Sequence, residues 1–95
     1  MQRYRKALEK QGIPVSKLLL YGSRARGNHR RESDIDVCVI SPQLGRDIIG
    51  DGVLVSTIAH QIDPLIEATF FSLKDWQNNR ISPLLHEIRK NGISM

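Results

Sequence analysis

The chain predicts an α/β (α+β) fold, a small mixed β-sheet of three to four strands with helices packed mainly on one face. Three observations carry this prediction. Two apolar runs, residues 15–21 and 34–40, follow one another across a short glycine-containing polar stretch. Helical spacing of apolar residues precedes the first run and returns near the end of the chain, and a third run at 65–71 has the period of two expected of a strand. At 95 residues the chain can close one modest core, and no repeat or low-complexity tract divides it, so residues 1–95 read as a single domain.

Residues 2–11 predict a helix because Tyr4, Ala7 and Leu8 recur at spacings of three and four. Gly12-Ile13-Pro14 ends it with a flexible cap and then a residue of fixed φ. The run 15–21 is nearly all apolar, which predicts a central strand with Lys17 facing solvent. A short helix is expected at 23–27 and a polar loop at 28–32, before the second strand at 34–40, which Ser41-Pro42 closes. Residues 43–52 hold three glycines and no clear period, predicting an irregular excursion near the mouth of a site. Residues 53–61 begin with a β-like Val53-Leu54-Val55, yet Val55, Ile58, Ala59 and Ile62 keep a helical spacing, and the segment reads as helix. In the strand at 65–71, Leu65, Glu67, Thr69 and Phe71 share one face. Ser72-Leu73-Lys74-Asp75 starts a short helix carrying Trp76, and Ser82-Pro83 opens a last helix with Leu84, Leu85 and Ile88 that ends at Asn91-Gly92.

The formal net charge of +4 is unevenly placed. Residues 1–31 carry nine Lys or Arg against Glu9 alone, whereas residues 32–95 carry five against nine acidic residues. Such a basic end can neutralise phosphates, but Tyr4 and Tyr21 are its only aromatics, so a base-stacking nucleic-acid surface is not the expected reading. No apolar run is long enough to span a membrane, and the charged residues 1–12 do not resemble a secretory or transit segment; a cytoplasmic location is expected. The single cysteine, Cys38, excludes a disulfide framework or a cysteine-based zinc site and sits in an apolar strand as a small buried side chain. His29, His60 and His86 show no pairing that suggests a metal site.

The residues that point to chemistry lie at the ends of the first two strands. A strand that ends in Gly22-Ser23 and runs into a helix offers free backbone N–H groups, a positive helix end and a hydroxyl donor to an anion, for which phosphate is the natural occupant. Along the second strand, alternation puts Asp34 and Asp36 on one face and Ile35, Val37 and Val39 on the other. Two carboxylates side by side repel, and a divalent cation such as Mg²⁺, which binds carboxylates together with substrate phosphates, relieves that repulsion.

The string Tyr21-Gly22-Ser23-Arg24-Ala25-Arg26-Gly27, with ten residues separating Ser23 from Asp34-Ile35-Asp36, resembles the signature of the nucleotidyltransferase superfamily related to DNA polymerase beta. Together with Ser33 it is similar to the minimal nucleotidyltransferase (MNT) subgroup. The resemblance implies the polymerase beta-like fold and in-line transfer of a nucleoside monophosphate, AMP from ATP, to an acceptor hydroxyl with release of pyrophosphate. It implies that Asp34 and Asp36 hold two Mg²⁺ ions and that Gly22 and Ser23 cradle the triphosphate. Arg24 or Arg26 would add positive charge; a helix sets the two about 200° apart, so only one would point inward. The family carries a third carboxylate on the strand beside the Asp-x-Asp strand. Glu67 fits that position as metal ligand and general base, with Asp63, just before Pro64, as the alternative.

The chain is shorter than nucleotidyltransferases that select their own acceptor, so a partner is expected. MNT proteins are often encoded beside a small helical protein of the HEPN type as toxin–antitoxin modules, and the resemblance implies neutralisation by transfer of AMP to a partner tyrosine. The competing reading is a non-catalytic antitoxin or nucleotide-binding module, docking through a basic N-terminal helix with Tyr4 exposed. Homo-oligomerisation is a further expectation, because a sheet this small can leave an apolar face or edge strand uncovered.

Overall fold

A computed structural model of the chain describes residues 1–22, 34–78 and 82–95. The short helix expected at 23–27 and the loop expected at 28–32, with Ser23, Arg24, Arg26, His29 and Ser33, lie outside the described residues. The described elements run α1 (Gln2–Lys10), β1 (Lys17–Tyr21), β2 (Ile35–Ser41), α2 (Ile48–Ile62), β3 (Ile66–Ser72), α3 (Leu73–Asn78), α4 (Pro83–Asn91) and β4 (Ile93–Ser94). They build the expected mixed α+β architecture around a four-stranded sheet of order β3-β2-β1-β4. β1 is antiparallel to both β2 and β4, while β2 and β3 are parallel, as strands joined through a crossover helix can be.

β2 is the centre of the fold because its pattern satisfies two cores at once. Val37 and Val39 pack into the larger core with Tyr4 and Leu8 of α1, Leu18 of β1, Val55, Ile58 and Ala59 of α2, and Ile66 of β3. On the opposite face, Cys38 and Ile40 meet Leu19 and Ile88, with Phe71, Leu73 and Trp76 alongside. α1 and α2 thus cover one face, and α3 and α4 cover part of the other. α4 is held to α3 by the Arg89 guanidinium, 4.6 Å above the Trp76 ring and donating to the Trp76 carbonyl. Ser82 caps α4 by accepting from the Leu85 N–H at 3.1 Å, with Pro83 in the first turn, and the Ser72 hydroxyl accepts from the Asp75 N–H at the start of α3.

Two expectations need correction. Tyr4 is fully buried, and its hydroxyl donates to the Val55 carbonyl at 3.0 Å, so it joins α1 to α2 and is no part of a docking surface. Its place in the Tyr4/Leu8 stripe already aligned it with the core face of the helix. Residues 43–52 contain the start of α2, where the Asp47 side chain caps Gly50. The irregular part lies past the C-terminal end of β2, against Ser72 at the end of β3, and so at the opposite end of the sheet from Asp36. The last helix ends at Asn91 with Gly92 as its cap, as the sequence predicts, and beyond it Ile93 and Ser94 add a strand beside β1, the Met95 N–H donating to the Leu18 carbonyl at 2.8 Å. Two residues are too few to show a strand period.

The Tyr4 contact yields a testable expectation. Tyr4→Phe removes one buried hydrogen bond and should cost about 1 kcal/mol, a drop of roughly 4–8 °C in Tm for a domain of this size. Tyr4→Ala also empties the ring's volume and should cost about 3–5 kcal/mol. Thermal denaturation followed by far-UV circular dichroism measures both.

Candidate active site

Cross-strand register assembles the site. Tyr21 at the end of β1 is paired with Asp36 on β2, and Asp36 is paired with Glu67 on β3. Partners in register share a face, so Tyr21, Asp36 and Glu67 form one row across the sheet. It is the same face that carries Cys38 and Ile40, but the row lies at the end that α4 leaves partly open: Glu67 is exposed, and Asp36 and Tyr21 are half-buried. Asp34 is exposed just before β2.

Gly22 follows Tyr21 directly and brings the turn onto the row. Its φ of +75° suits glycine, and a Cβ built there would overlap the Asp36 carboxylate. The glycine therefore serves two purposes: it turns the chain out of β1 and lets backbone lie against the carboxylate.

The electrostatics record the crowding. The Asp36 carboxyl is raised above its ordinary pKa, first by burial and then by the neighbouring Asp34 and Glu67 carboxylates. The Tyr21 phenol is pushed up to about 12 by burial and by the charges of Asp36, Cys38, Glu67 and Glu87, and so stays protonated and able to donate. Burial likewise pushes the Cys38 thiol up to about 12, leaving it without thiolate character at neutral pH. Glu87 is a contributor that sequence reasoning misses; it lies on α4, and only the placement of that helix over β1 brings it near Tyr21.

Asp36 and Glu67 are thus brought together, with Asp34 close enough to act on Asp36. Among the described residues no group of three His, Cys, Asp or Glu side chains is arranged to hold a metal ion. The donor chemistry nevertheless suits a hard divalent cation: Asp34, Asp36 and Glu67 supply carboxylate oxygens, and their mutual repulsion, which adds to burial in raising the Asp36 pKa, is what such a cation offsets. Asp63 is occupied elsewhere, since its carboxylate accepts from the Leu65 N–H at 2.9 Å in the turn between α2 and β3. Ser23, Arg24 and Arg26 fall outside the described residues. His60 and His86 are exposed on α2 and α4.

A mixed sheet that sets a glycine turn against strand-borne carboxylates is the arrangement of a nucleotidyl-transferring domain, and the comparisons identify the family. The nucleotidyltransferase domain model matches residues 1–89, and the chain belongs to that family. Among solved structures, the chain is similar to a provisionally assigned nucleotidyltransferase from Sulfolobus solfataricus, with 17% identity and a TM-score of 0.62 over 98% of this chain and 76% of that one. It is also similar to a chain of a toxin–antitoxin structure determined with AMP-PNP, with 23% identity and a TM-score of 0.65 over 98% of this chain and 69% of that one. No curated protein matches. No helix among the described residues is long and apolar enough to cross a membrane.

Two substitutions test the geometry. Gly22→Ala should cost about 1–3 kcal/mol through backbone strain and should displace the Asp36 carboxylate. Asp36→Asn should raise Tm at neutral pH when no divalent cation is present. A carboxyl whose folded pKa is raised contributes its stability below its unfolded value of about 3.9 and loses it as pH rises through the folded value. The ionised Asp36 is therefore a net cost at pH 7, and the gap between variant and wild type should close on acidification. Melting curves across the carboxylate range, in chelator, would show a constant gap if that account were wrong.

Proposed function

We propose that this chain is a Mg²⁺-dependent nucleotidyltransferase that moves AMP from ATP to a hydroxyl of a partner protein, a tyrosine of a small helical HEPN-type toxin being the acceptor class. The observation that carries this reading is the pairing of Asp36 with Glu67 across β2 and β3, with the Gly22 backbone against the Asp36 carboxylate. The toxin–antitoxin neighbour was determined with AMP-PNP, an ATP analogue that does not readily release its terminal phosphate, which supports a nucleoside triphosphate as substrate and a protein as partner.

In this mechanism the Gly22 N–H and the Ser23 hydroxyl hold the β- and γ-phosphates, with Arg24 or Arg26 adding positive charge. Asp34, Asp36 and Glu67 would hold two Mg²⁺ ions, which supply Lewis-acid stabilisation of the attacking and leaving oxygens. Glu67, the most exposed of the row, accepts the proton of the acceptor hydroxyl as its oxygen attacks the α-phosphorus. The bond from that phosphorus to the bridging oxygen breaks, and pyrophosphate leaves. Asp36, flanked by Tyr21 and Gly22 on one side and β3 on the other, would be fixed by its register as a metal ligand. Asp63 takes no part, because its carboxylate is engaged in the turn before β3. The competing reading, docking without catalysis, loses the exposed aromatic it relied on, since Tyr4 is buried.

Calorimetric titration with ATP tests the site before any acceptor is known. Wild type should bind ATP only with Mg²⁺ present, and Asp36→Asn should weaken that binding at least about tenfold, the loss of one charge-assisted metal contact. Glu67→Gln should weaken ATP binding by no more than Asp36→Asn does, yet lower AMP transfer to the partner further, by about 10²–10⁴. Equal ATP affinity in chelator, or transfer undiminished in Asp36→Asn, would overturn the mechanism.

A further inference from the structure

Among the described residues β3 is the last strand of the sheet, and one side of its backbone faces no neighbouring strand of theirs. Edge strands are usually protected by Lys, Pro, a bulge or a covering element. The seven residues Ile66–Ser72 contain neither Lys nor Pro, and Glu67 is their only charge. The helix above this strand is also unusual. Ile49 is 81% exposed and Val53 62%, and with Ser56 and His60 they recur at i, i+4, i+7 and i+11 along one outer stripe of α2. Gly52 flanks that stripe and faces the Phe70 ring of β3, so the stripe borders the free edge.

We propose that the β3 edge and this stripe of α2 together form a twofold interface with a second copy of the chain, β3 pairing antiparallel to β3 and α2 packing on α2. Three features select a second copy as the occupant. A twofold axis perpendicular to the sheet keeps both helical layers on one side while it joins the two edges, so one operation covers strand and stripe at once. The stripe carries no Asp, Glu, Lys or Arg, in a chain of net charge +4, so two copies meet there without like-charge repulsion, whereas an acidic or basic partner would find no complement. Centred on Thr69, the pairing sets Thr69 against Thr69, Ala68 against Phe70 and Glu67 against Phe71 of the partner subunit. No charge faces a like charge, and the central Thr pair is a favourable one.

The dimensions agree as well. The fifteen-residue α2 is about 22 Å long, and the seven-residue β3 about 23 Å, so helix and strand would be buried over the same length. Two layers of roughly 10 Å each give a face of about 450 Å² per copy, about 900 Å² in total before side-chain relief, below the range of stable complexes, so the dimer should be weak and form reversibly with concentration. The proposal stands apart from nucleotidyl transfer and would survive the failure of that reading.

Analytical ultracentrifugation of the full chain between about 1 and 200 µM tests it, a range set by the modest area. The weight-average mass should move from one chain towards two. Val53→Lys, at an exposed position, should leave the thermal melt unchanged and raise the dimer dissociation constant at least about tenfold, through two like charges brought together. Hydrogen exchange supplies the strand test: amides of residues 66–72 should gain protection in concentrated wild type and not in Val53→Lys. A monomer throughout the range, a dimer indifferent to Val53→Lys, or a dimer without added protection in β3 would each overturn the proposal.

Discussion

β2 lies between β1 and β3, and every side chain from Val37 to Ser41 is buried. That burial allows only one register. A slip of one residue would turn Val37 and Val39 away from α1 and α2 and drive Asp36 into the apolar core, where an unpaired carboxylate costs several kcal/mol. The aliphatic packing beneath α1 and α2 therefore aims the carboxylate on the other face. Because β1 and β3 are registered on the same strand, Tyr21 and Glu67 are placed by the same packing, although neither touches the larger core through its polar atoms.

The site that results is electrostatically costly to the fold. Burial and two neighbouring carboxylates act against the ionised form of Asp36, and the positive φ of Gly22 commits one residue to a conformation that other residues adopt with strain. These costs are borne by a rigid surround. The Tyr4 hydroxyl joins α1 to α2, and Arg89 ties α4 to α3, so the helices on both faces are held by specific contacts as well as apolar burial. Unfavourable local choices concentrated at one end of the sheet, within an otherwise self-consistent pattern, are what a functional site in a small domain is expected to show.

Much of this was legible in the chain because the decisive signals are local. The alternation of Ile35, Val37 and Val39 with Asp36 exposes the face of the carboxylate, and the Ser82-Pro83 pair marks the start of α4 through its capping chemistry. The glycine after Tyr21 likewise marks a turn. Other features depend on contacts distant in sequence. Nothing near Tyr4 distinguishes a buried phenol from an exposed one until α2 supplies the Val55 carbonyl, fifty-one residues away. Glu87 approaches Tyr21 only because α4 packs over β1, and β4 owes its strand state to pairing with Leu19 and Leu20 rather than to propensity. The three glycines near the start of α2 argued for irregularity, yet the Asp47 cap and the buried Val55, Ile58 and Ala59 outweigh their poor helix propensity. That Glu67 stands in register with Asp36 was not legible, because a single strand does not contain its own pairing.

The buried thiol has a use of its own. Cys38 is the one cysteine in the chain; it lies two residues beyond Asp36 on the same face and is closed off by Leu19, Ile40 and Ile88. In the folded protein it is shielded from reagents and lacks thiolate character. Modification therefore requires α4 or the neighbouring strands to part, so the rate at which a thiol reagent consumes the protein reports the free energy of that opening. The chain thus carries an intrinsic probe of local breathing beneath its carboxylates, readable without an added label and responsive to any ligand that tightens that end of the sheet.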